Sequence, residues 1–171
     1  AARLISREPS LGKPIAIIGG GKTRQRSIYN ALLYLGRRKP TPDFVIFHDA
    51  ARPLISSKMV TAVFDAAVRY GASVIATKLV DFPVEVKSGF LEYIHDREKI
   101  YGAATPQCFR FQHIMSAHKR YVNYRYLKTG DNLELLRLLH KNYKIKVVDN
   151  FYPNHKITYR PDLEMISSLL V

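Results

Sequence analysis

The stretch FVIFHDAARPLI, residues 44–55, decides the fold. Its first four residues are apolar without alternation, which is typical of a strand buried on both faces of a parallel sheet. The run ends in His48 and Asp49, and Arg52 follows shortly afterwards. Ligands of open parallel sheets bind beyond the carboxyl ends of the strands. A buried strand that leads directly into a carboxylate and a guanidinium therefore indicates a binding site at this point of the chain.

Strand and helix patterns alternate on both sides of this stretch. A further buried strand is predicted at residues 13–20, and further strands at residues 73–79 and 143–148. Helices are predicted at residues 23–38, 56–72, 110–121, 133–140 and 160–171. Thr23 is a plausible N-cap, Ser56 or Ser57 caps the second helix, Gly71 ends it, and Pro161 lies in the first turn of the last helix. The alternation predicts an α/β fold, a Rossmann-like and mostly parallel sheet with helices on both faces.

The pattern changes in FPVEVKSGFLEYI, residues 82–94. Apolar and polar residues alternate about the turn-forming KSG, which predicts a β-hairpin arm at about residues 82–98. Neither an internal repeat nor a linker is evident, so we predict one domain over residues 1–171.

Composition narrows the classes of protein. The chain has 171 residues, is 47% hydrophobic and 24% charged, and so is globular. No apolar run is long enough for a membrane span, and no signal peptide is evident. The single cysteine, Cys108, excludes an internal disulfide. We expect a cytoplasmic protein without a membrane partner.

The formal net charge of +13 raises the question of polyanionic partners. A basic surface suits nucleic acid, but it also suits an enzyme of phosphorylated small molecules. The charge is spread along the chain, with no dense basic helix and no aromatic platform, which argues against nucleic-acid binding.

Four clusters could carry chemistry, and each has a structural alternative. The glycines of GGGKTRQRS, residues 19–27, allow close approach to a ligand, or simply form a tight turn. Asp49 suits Mg²⁺ held together with substrate phosphates, or caps a turn and pairs with Arg52. Lys156 in KIT could neutralise a phosphate or could snorkel. Arg97 at the base of the arm carries little weight by itself, because an exposed arginine is usually solvated.

Four motifs, in this order and at these spacings, resemble the methylerythritol phosphate cytidylyltransferase family: GGGKTRQRSIYNAL, FVIFHDAARPLI, AATPQCF and NHKITYRPDL. Ribitol-5-phosphate cytidylyltransferases share them. The resemblance implies a fold of the nucleotide-diphospho-sugar transferase type. It also implies transfer of CMP from the co-substrate CTP to a sugar-alcohol phosphate, with Mg²⁺ as cofactor and pyrophosphate as product. In the family the hairpin arm exchanges between subunits, so the resemblance implies a homodimer in which Arg97 serves the neighbouring subunit.

The resemblance also assigns roles to residues. Arg97 and Lys156 match the basic residues that position the substrate phosphate, and Asp49 matches the aspartate of the metal and nucleotide site. The residues that match the nucleotide site are Gly20, Gly21, Lys22, Ser27, Asp49, Ala50 and Arg52. Thr129 and Asp131 match a substrate segment in which the first acidic position is glycine here.

Two alternatives stay open within this resemblance. The second alanine of HDAARP favours methylerythritol phosphate over ribitol phosphate as the acceptor. The family begins with a strand and a loop of the type A-A-G-x-G-x-R-M, which nothing here matches. We therefore expect an N-terminally truncated chain with little activity of its own, with one piece of a split enzyme and a degenerate non-catalytic binding module as the alternatives.

Overall fold

The strand predicted from FVIFHD forms in the computed structural model, which describes residues 16–123, 131–139, 142–150 and 152–169. The elements in chain order are α1 (Arg24–Gly36), β1 (Phe44–Phe47), α2 (Ser57–Tyr70), β2 (Ala72–Lys78), β3 (Val84–Lys87), β4 (Phe90–Ile94), a 3₁₀ turn (Arg97–Lys99), β5 (Tyr101–Arg110), α3 (Phe111–Asn123), α4 (Asn132–Leu139), β6 (Lys146–Asp149) and α5 (Arg160–Leu169).

The central sheet has the strand order β1–β5–β2–β6. β2 pairs with β6 in parallel, and β5 pairs antiparallel with both β1 and β2. Three strands therefore run in one direction, and β5 runs the other way between two of them. The predicted α/β class is confirmed. The sheet is mixed: β2 and β6 form its parallel pair, and the other two pairs of described strands are antiparallel.

β5 is the strand that the sequence analysis did not assign. It contains Pro106, which has no N–H to give to a ladder and argues against a central strand. The ladder between β2 and β5 has a register irregularity between Val74 and Ala76, which are paired with Gln107 and Ala103. The proline lies between these two partners, so the irregularity accommodates it inside the sheet.

The strand predicted at residues 13–20 is wrong for the residues that the structure describes. Residues 16–20 form no strand, and Ile17 is 52% exposed. A β-strand needs a hydrogen-bonded neighbour, and no described strand pairs with this segment. Instead, the carbonyl of Gly19 accepts a hydrogen bond from the side chain of Asn30.

The chain divides into two compact units: Ala1–Pro42 with Ile114–Leu139, and Asp43–His113 with His140–Val171. The second unit holds the sheet, the arm, α2 and α5. In its core, Met59, Val63 and Ala67 of α2 pack with Ile75 and Cys108. Burial raises the pKa of the Cys108 thiol to about 11. The prediction of a single domain stays a prediction.

Local sequence explains the limits of α2. The Ser56 side chain accepts a hydrogen bond from the Met59 N–H, and this selects Ser56 as the N-cap. Gly71 ends the helix with φ of +89°, and its N–H donates to the Ala67 carbonyl. A left-handed residue at this position favours glycine. Both caps agree with the sequence prediction.

The first unit contains α1 and α4 with most of α3. The predicted N-cap of α1 is confirmed, because the Thr23 hydroxyl accepts from the Arg26 N–H. His118 is fully buried, and its Nε2 lies 3.1 Å from Asn132 Oδ1. Burial, more than any other influence, lowers the pKa of His118, so protonation of this histidine opposes folding.

The predicted hairpin forms as β3 and β4. Ser88 and Gly89 make the turn, both with positive φ, which matches the right-handed twist of the strands. Every residue of both strands is exposed, including the large apolar side chains Val86, Phe90 and Leu91. None of the helices in the described part of the chain is long and apolar enough to cross a bilayer.

Candidate active site

The turn after β1 is built by hydrogen bonds from two directions. The N–H of Arg52 donates to the carbonyl of Asp49 at 3.0 Å and closes the turn. The N–H of Asp49 donates to the Thr105 hydroxyl of β5, also at 3.0 Å. The N–H of Ile157 donates to the carbonyl of Ala51, so the segment before α5 lies beside the turn.

These bonds bring together three of the charged residues singled out in the sequence. The Asp49 carboxylate lies 3.6 Å from Arg52 Nε and 3.7 Å from Lys156 Nζ. The Arg52 guanidinium is mostly buried, whereas the Lys156 side chain is half exposed. We call Asp49, Arg52 and Lys156 the charged cluster.

The charged cluster suits an anionic ligand. Two cations face one carboxylate, which leaves one unit of positive charge uncompensated within the cluster. The pair between Lys156 and Asp49 is 3.7 Å long and half exposed at the lysine, so it contributes about 0–1 kcal/mol to folding and does little to hold the ammonium in place. A phosphate can therefore attract the Lys156 ammonium without a large loss of stability.

His48 orders the turn. Its Nε2 lies 2.9 Å from the carbonyl of Arg52, and a carbonyl can only accept, so the ring proton is on Nε2. Its Nδ1 lies 3.2 Å from the Thr105 hydroxyl and accepts a hydrogen bond from it. Both ring nitrogens are engaged with protein groups, which favours the structural role for His48 over that of a general base.

The segment that carries Lys156 is fixed at its far end by Asp162. This carboxylate accepts hydrogen bonds from the N–H groups of Tyr159 and Thr158, at 2.7 and 2.8 Å. The bond from Tyr159, followed by that from Thr158, lowers the pKa of Asp162. In the motif KITYRPDL, Lys156 is therefore followed by a turn, and the turn leads into the start of α5, where Asp162 accepts hydrogen bonds from these N–H groups.

Two residues near the charged cluster were missed by the sequence analysis. Asn154 is 7% exposed, and its side chain donates to the carbonyl of Thr105. Both residues lie within the motifs TPQ and NHKIT, but neither side chain is charged. No feature of the sequence separates these two residues from other polar residues of the chain.

The predicted glycine site lies in the first unit. The N–H of Gly21 donates to the Ser27 hydroxyl, which in turn donates to the carbonyl of Thr23. Lys22 is exposed. A Cβ at Gly21 would lie 2.5 Å from Arg26 Cβ and 3.2 Å from the Arg26 carbonyl carbon, so this position requires glycine.

The other predicted residues lie elsewhere. Asp131 caps α4 by accepting from the N–H of Leu133, and it lies 3.7 Å from Arg24. Thr129 is outside the described residues. Arg97 makes its contacts at the base of the arm: it donates to the Val80 carbonyl, and its guanidinium lies 4.8 Å from the centre of the Phe82 ring.

Fold and site define a Rossmann-like α/β protein with a charged cluster beyond one strand end. The chain belongs to the 2-C-methyl-D-erythritol 4-phosphate cytidylyltransferase family, whose model matches residues 3–171. The resemblance seen in the sequence is thereby confirmed.

Individual relatives agree with this assignment. The chain is 37% identical to a 2-C-methyl-D-erythritol 4-phosphate cytidylyltransferase of Pelotomaculum thermopropionicum over 92% of its own length, and 34% identical to that of Geobacillus thermodenitrificans, also over 92%. It spans 64% and 66% of the lengths of these relatives.

Solved structures show the same fold. The enzyme of the same name from Thermus thermophilus aligns with a TM-score of 0.80 at 29% identity, over 95% of this chain and 77% of that one. The 4-diphosphocytidyl-2C-methyl-D-erythritol synthase of Anaerococcus prevotii aligns with a TM-score of 0.85 over 98% of this chain and 74% of that one. The second pair is 24% identical and supports the fold alone.

Proposed function

We propose that this protein transfers CMP from CTP to 2-C-methyl-D-erythritol 4-phosphate and releases pyrophosphate. The observation that carries the proposal is the charged cluster, in which Arg52 and Lys156 lie within 4 Å of Asp49 in a chain that belongs to this family. We infer a cytoplasmic location as well, supported by a single, fully buried cysteine.

The reaction needs positioning and charge neutralisation more than covalent catalysis. A phosphate oxygen of the acceptor forms a bond to the α-phosphorus of CTP, and the bond between this phosphorus and the bridging oxygen of pyrophosphate breaks. Negative charge develops on the phosphoryl oxygens during this exchange. The guanidinium of Arg52 and the ammonium of Lys156 supply positive charge where phosphates bind, which stabilises the developing charge.

A magnesium ion fits one feature of the charged cluster, the carboxylate of Asp49. Within the described residues there is no group of three or more His, Cys, Asp or Glu side chains that could hold a metal by themselves. Mg²⁺ is usually bound through one or two carboxylates plus substrate phosphates, which matches a single aspartate. When bound, the ion would neutralise phosphate charge at Asp49.

The direct test is release of pyrophosphate by the natural protein from CTP and Mg²⁺, with 2-C-methyl-D-erythritol 4-phosphate or ribitol 5-phosphate as acceptor. We expect turnover with the first acceptor and at least about tenfold lower kcat/KM with the second, the factor that corresponds to loss of one well-made contact. Equal use of both would contradict the acceptor assignment, and turnover of neither would contradict the activity.

We further propose a homodimer formed through the arm, in which Arg97 binds the acceptor phosphate of the neighbouring subunit. Two observations support this. The arm exposes Val86, Phe90 and Leu91, a set of apolar side chains that water disfavours. Arg97 is held at the base of its own arm, through Val80 just before the arm and Phe82 within it, and among the described residues it has no ion pair with the charged cluster.

Replacement of Arg97 by alanine tests this role. We expect the KM for the acceptor to rise about tenfold or more while the KM for CTP changes less than about twofold, because one charge-assisted contact is removed from one substrate only. Lys99→Ala is the matched control, since Lys99 is 82% exposed and lies two residues away. Equal effects of Arg97→Ala on both substrates would exclude the assigned role.

Subunit exchange can be tested by mixing two variants. An Arg97→Ala subunit keeps its Asp49, and an Asp49→Asn subunit keeps its Arg97. Random mixing makes half of the dimers hybrid, and one of the two sites in each hybrid is then intact, so about a quarter of wild-type activity should return. No recovery after confirmed exchange would place Arg97 at the site of its own subunit.

The glycine loop makes a separate prediction for CTP. Gly21→Ala should raise the KM for CTP about tenfold, because a Cβ there collides with Arg26 and displaces the N–H that Ser27 accepts. Gly19→Ala is the control, since a Cβ at Gly19 meets open space. Kinetics of both variants with saturating acceptor provide the measurement. An unchanged KM for CTP in Gly21→Ala would show that this loop does not bind the nucleotide.

A further inference from the structure

Asn154 joins three separate segments at the charged cluster. Its Nδ2 donates to the carbonyl of Thr105 in β5 at 2.8 Å. Its own backbone carbonyl accepts from Arg52 Nη1 at 2.7 Å. One residue therefore connects the turn after β1, the strand β5 and the segment that leads to Lys156. Asn154 is buried, with 7% of its surface exposed.

This connection determines where Lys156 stands. Lys156 follows two residues after Asn154, and its own ion pair with Asp49 is long and half exposed. The backbone on its other side is fixed by the bond from the Ile157 N–H to the Ala51 carbonyl. The backbone of Lys156 therefore lies between two fixed points, the contacts of Asn154 before it and the hydrogen bond of Ile157 after it.

The side chain of Asn154 is used as a donor. Its Oδ1 is buried and has no hydrogen-bond partner in the part of the chain that the structure describes. A buried acceptor without a partner lowers stability. For stability alone, an apolar residue of similar size would be more favourable at this position. The hydrogen bond from Nδ2 to Thr105 is what the asparagine provides and an apolar residue cannot.

We propose that Asn154 is a positioning residue: it keeps Arg52 and Lys156 at the distance from each other that binding of the acceptor phosphate requires. This rests on the function proposed above. Asn154 touches no substrate in this proposal; it acts through the backbone that carries Lys156 and through the carbonyl that orients the guanidinium of Arg52.

The first test separates positioning from general stability. Asn154→Ala should raise the acceptor KM about tenfold, the usual consequence of one lost hydrogen bond, with a smaller effect on the KM for CTP. In a Lys156→Ala background the same change should have a clearly smaller effect than in the wild type, because one of the two cations that Asn154 positions is gone. Full additivity of the two changes would overturn the proposal.

The second test uses pH. Asn154→Asp keeps the shape but sets a carboxylate oxygen against the Thr105 carbonyl, whereas the protonated acid can donate to it. We expect the acceptor KM of this variant, divided by that of the wild type at the same pH, to fall as pH is lowered. The ratio for Asn154→Ala should stay flat. Parallel profiles of the two variants would contradict a donor role.

Asn150→Ala is the matched control. Asn150 lies four residues upstream, and its Nδ2 also donates to a backbone carbonyl. This carbonyl belongs to Tyr152, which is not a residue of the charged cluster or of β5. Its acceptor KM should stay within about twofold of the wild type, as for a site that is not coupled to the cluster. An increase equal to that of Asn154→Ala would show a general effect of loop order and overturn the proposal.

A binding measurement distinguishes failure of the proposed activity from failure of the proposal for Asn154. If the wild type releases no pyrophosphate, its affinity for inorganic phosphate is measured by calorimetry beside that of Asn154→Ala and Asn150→Ala. About tenfold weaker binding by Asn154→Ala alone supports positioning of the cations without any turnover. Equal binding by all three proteins, or no binding by the wild type, overturns the proposal.

Discussion

Asp49→Asn should lower kcat/KM for CMP transfer about a thousandfold and leave the fold intact. The amide has the same shape, and the backbone N–H of residue 49 can still donate to Thr105. What disappears is the negative charge that Arg52 and Lys156 face and that a phosphate-bound Mg²⁺ requires. Loss of a preorganised charge at a reacting phosphate has effects of about 10²–10³ in rate.

Two measurements accompany this prediction. The free energy of unfolding should fall by about 1 kcal/mol, because the pair with Lys156 is half exposed and the amide of the variant still offers an oxygen to the mostly buried Arg52. Asp65→Asn applies the same chemical change on an exposed part of α2 and should leave kcat/KM unchanged. Retention of more than about a tenth of wild-type activity by Asp49→Asn would remove Asp49 from the chemistry.

The charged part of the candidate site could be predicted from sequence, whereas the groups that hold it could not. Asp49 is recognisable because it follows the end of an apolar strand, where ligands of α/β sheets bind, with Arg52 three residues further on. Asn154 and Thr105 act through backbone carbonyls and N–H groups, and such partners are fixed only when distant segments meet. The sequence shows residue types, but the pairing of position 154 with position 105 is a property of the sheet.

The fold shows the same division. α2 was predictable because its caps and its apolar face are all local signals. β5 was missed because its proline argues locally against a central strand, and only the irregular ladder with β2 makes room for it. At residues 16–20 the sequence predicts a strand that does not form. An apolar run predicts a strand, but it does not show whether a neighbouring strand exists to pair with it.

Phe109→Ala should lower the free energy of unfolding by about 3–5 kcal/mol, the usual range for a buried phenylalanine in a well-packed core. Phe109 is fully buried in β5, opposite Val45 and Ala72 of the two neighbouring strands. Its ring centre lies 5.8 Å from that of Phe47. Truncation leaves a cavity against the sheet at β1 and β5; Asp49 follows the first of these strands, and Thr105 lies within the second.

Urea unfolding monitored by circular dichroism measures this effect, and the midpoint should fall with little change in slope. Phe109→Leu gives a graded variant in case alanine prevents folding, and it should lie between alanine and the wild type. Tyr159→Ala is the control, because this ring is 74% exposed and its removal should change stability by at most about 0.5 kcal/mol. A loss below about 1 kcal/mol for Phe109→Ala would mean that the sheet does not depend on this ring, and that the strand ends are held chiefly by the hydrogen bonds of Thr105 and Asn154.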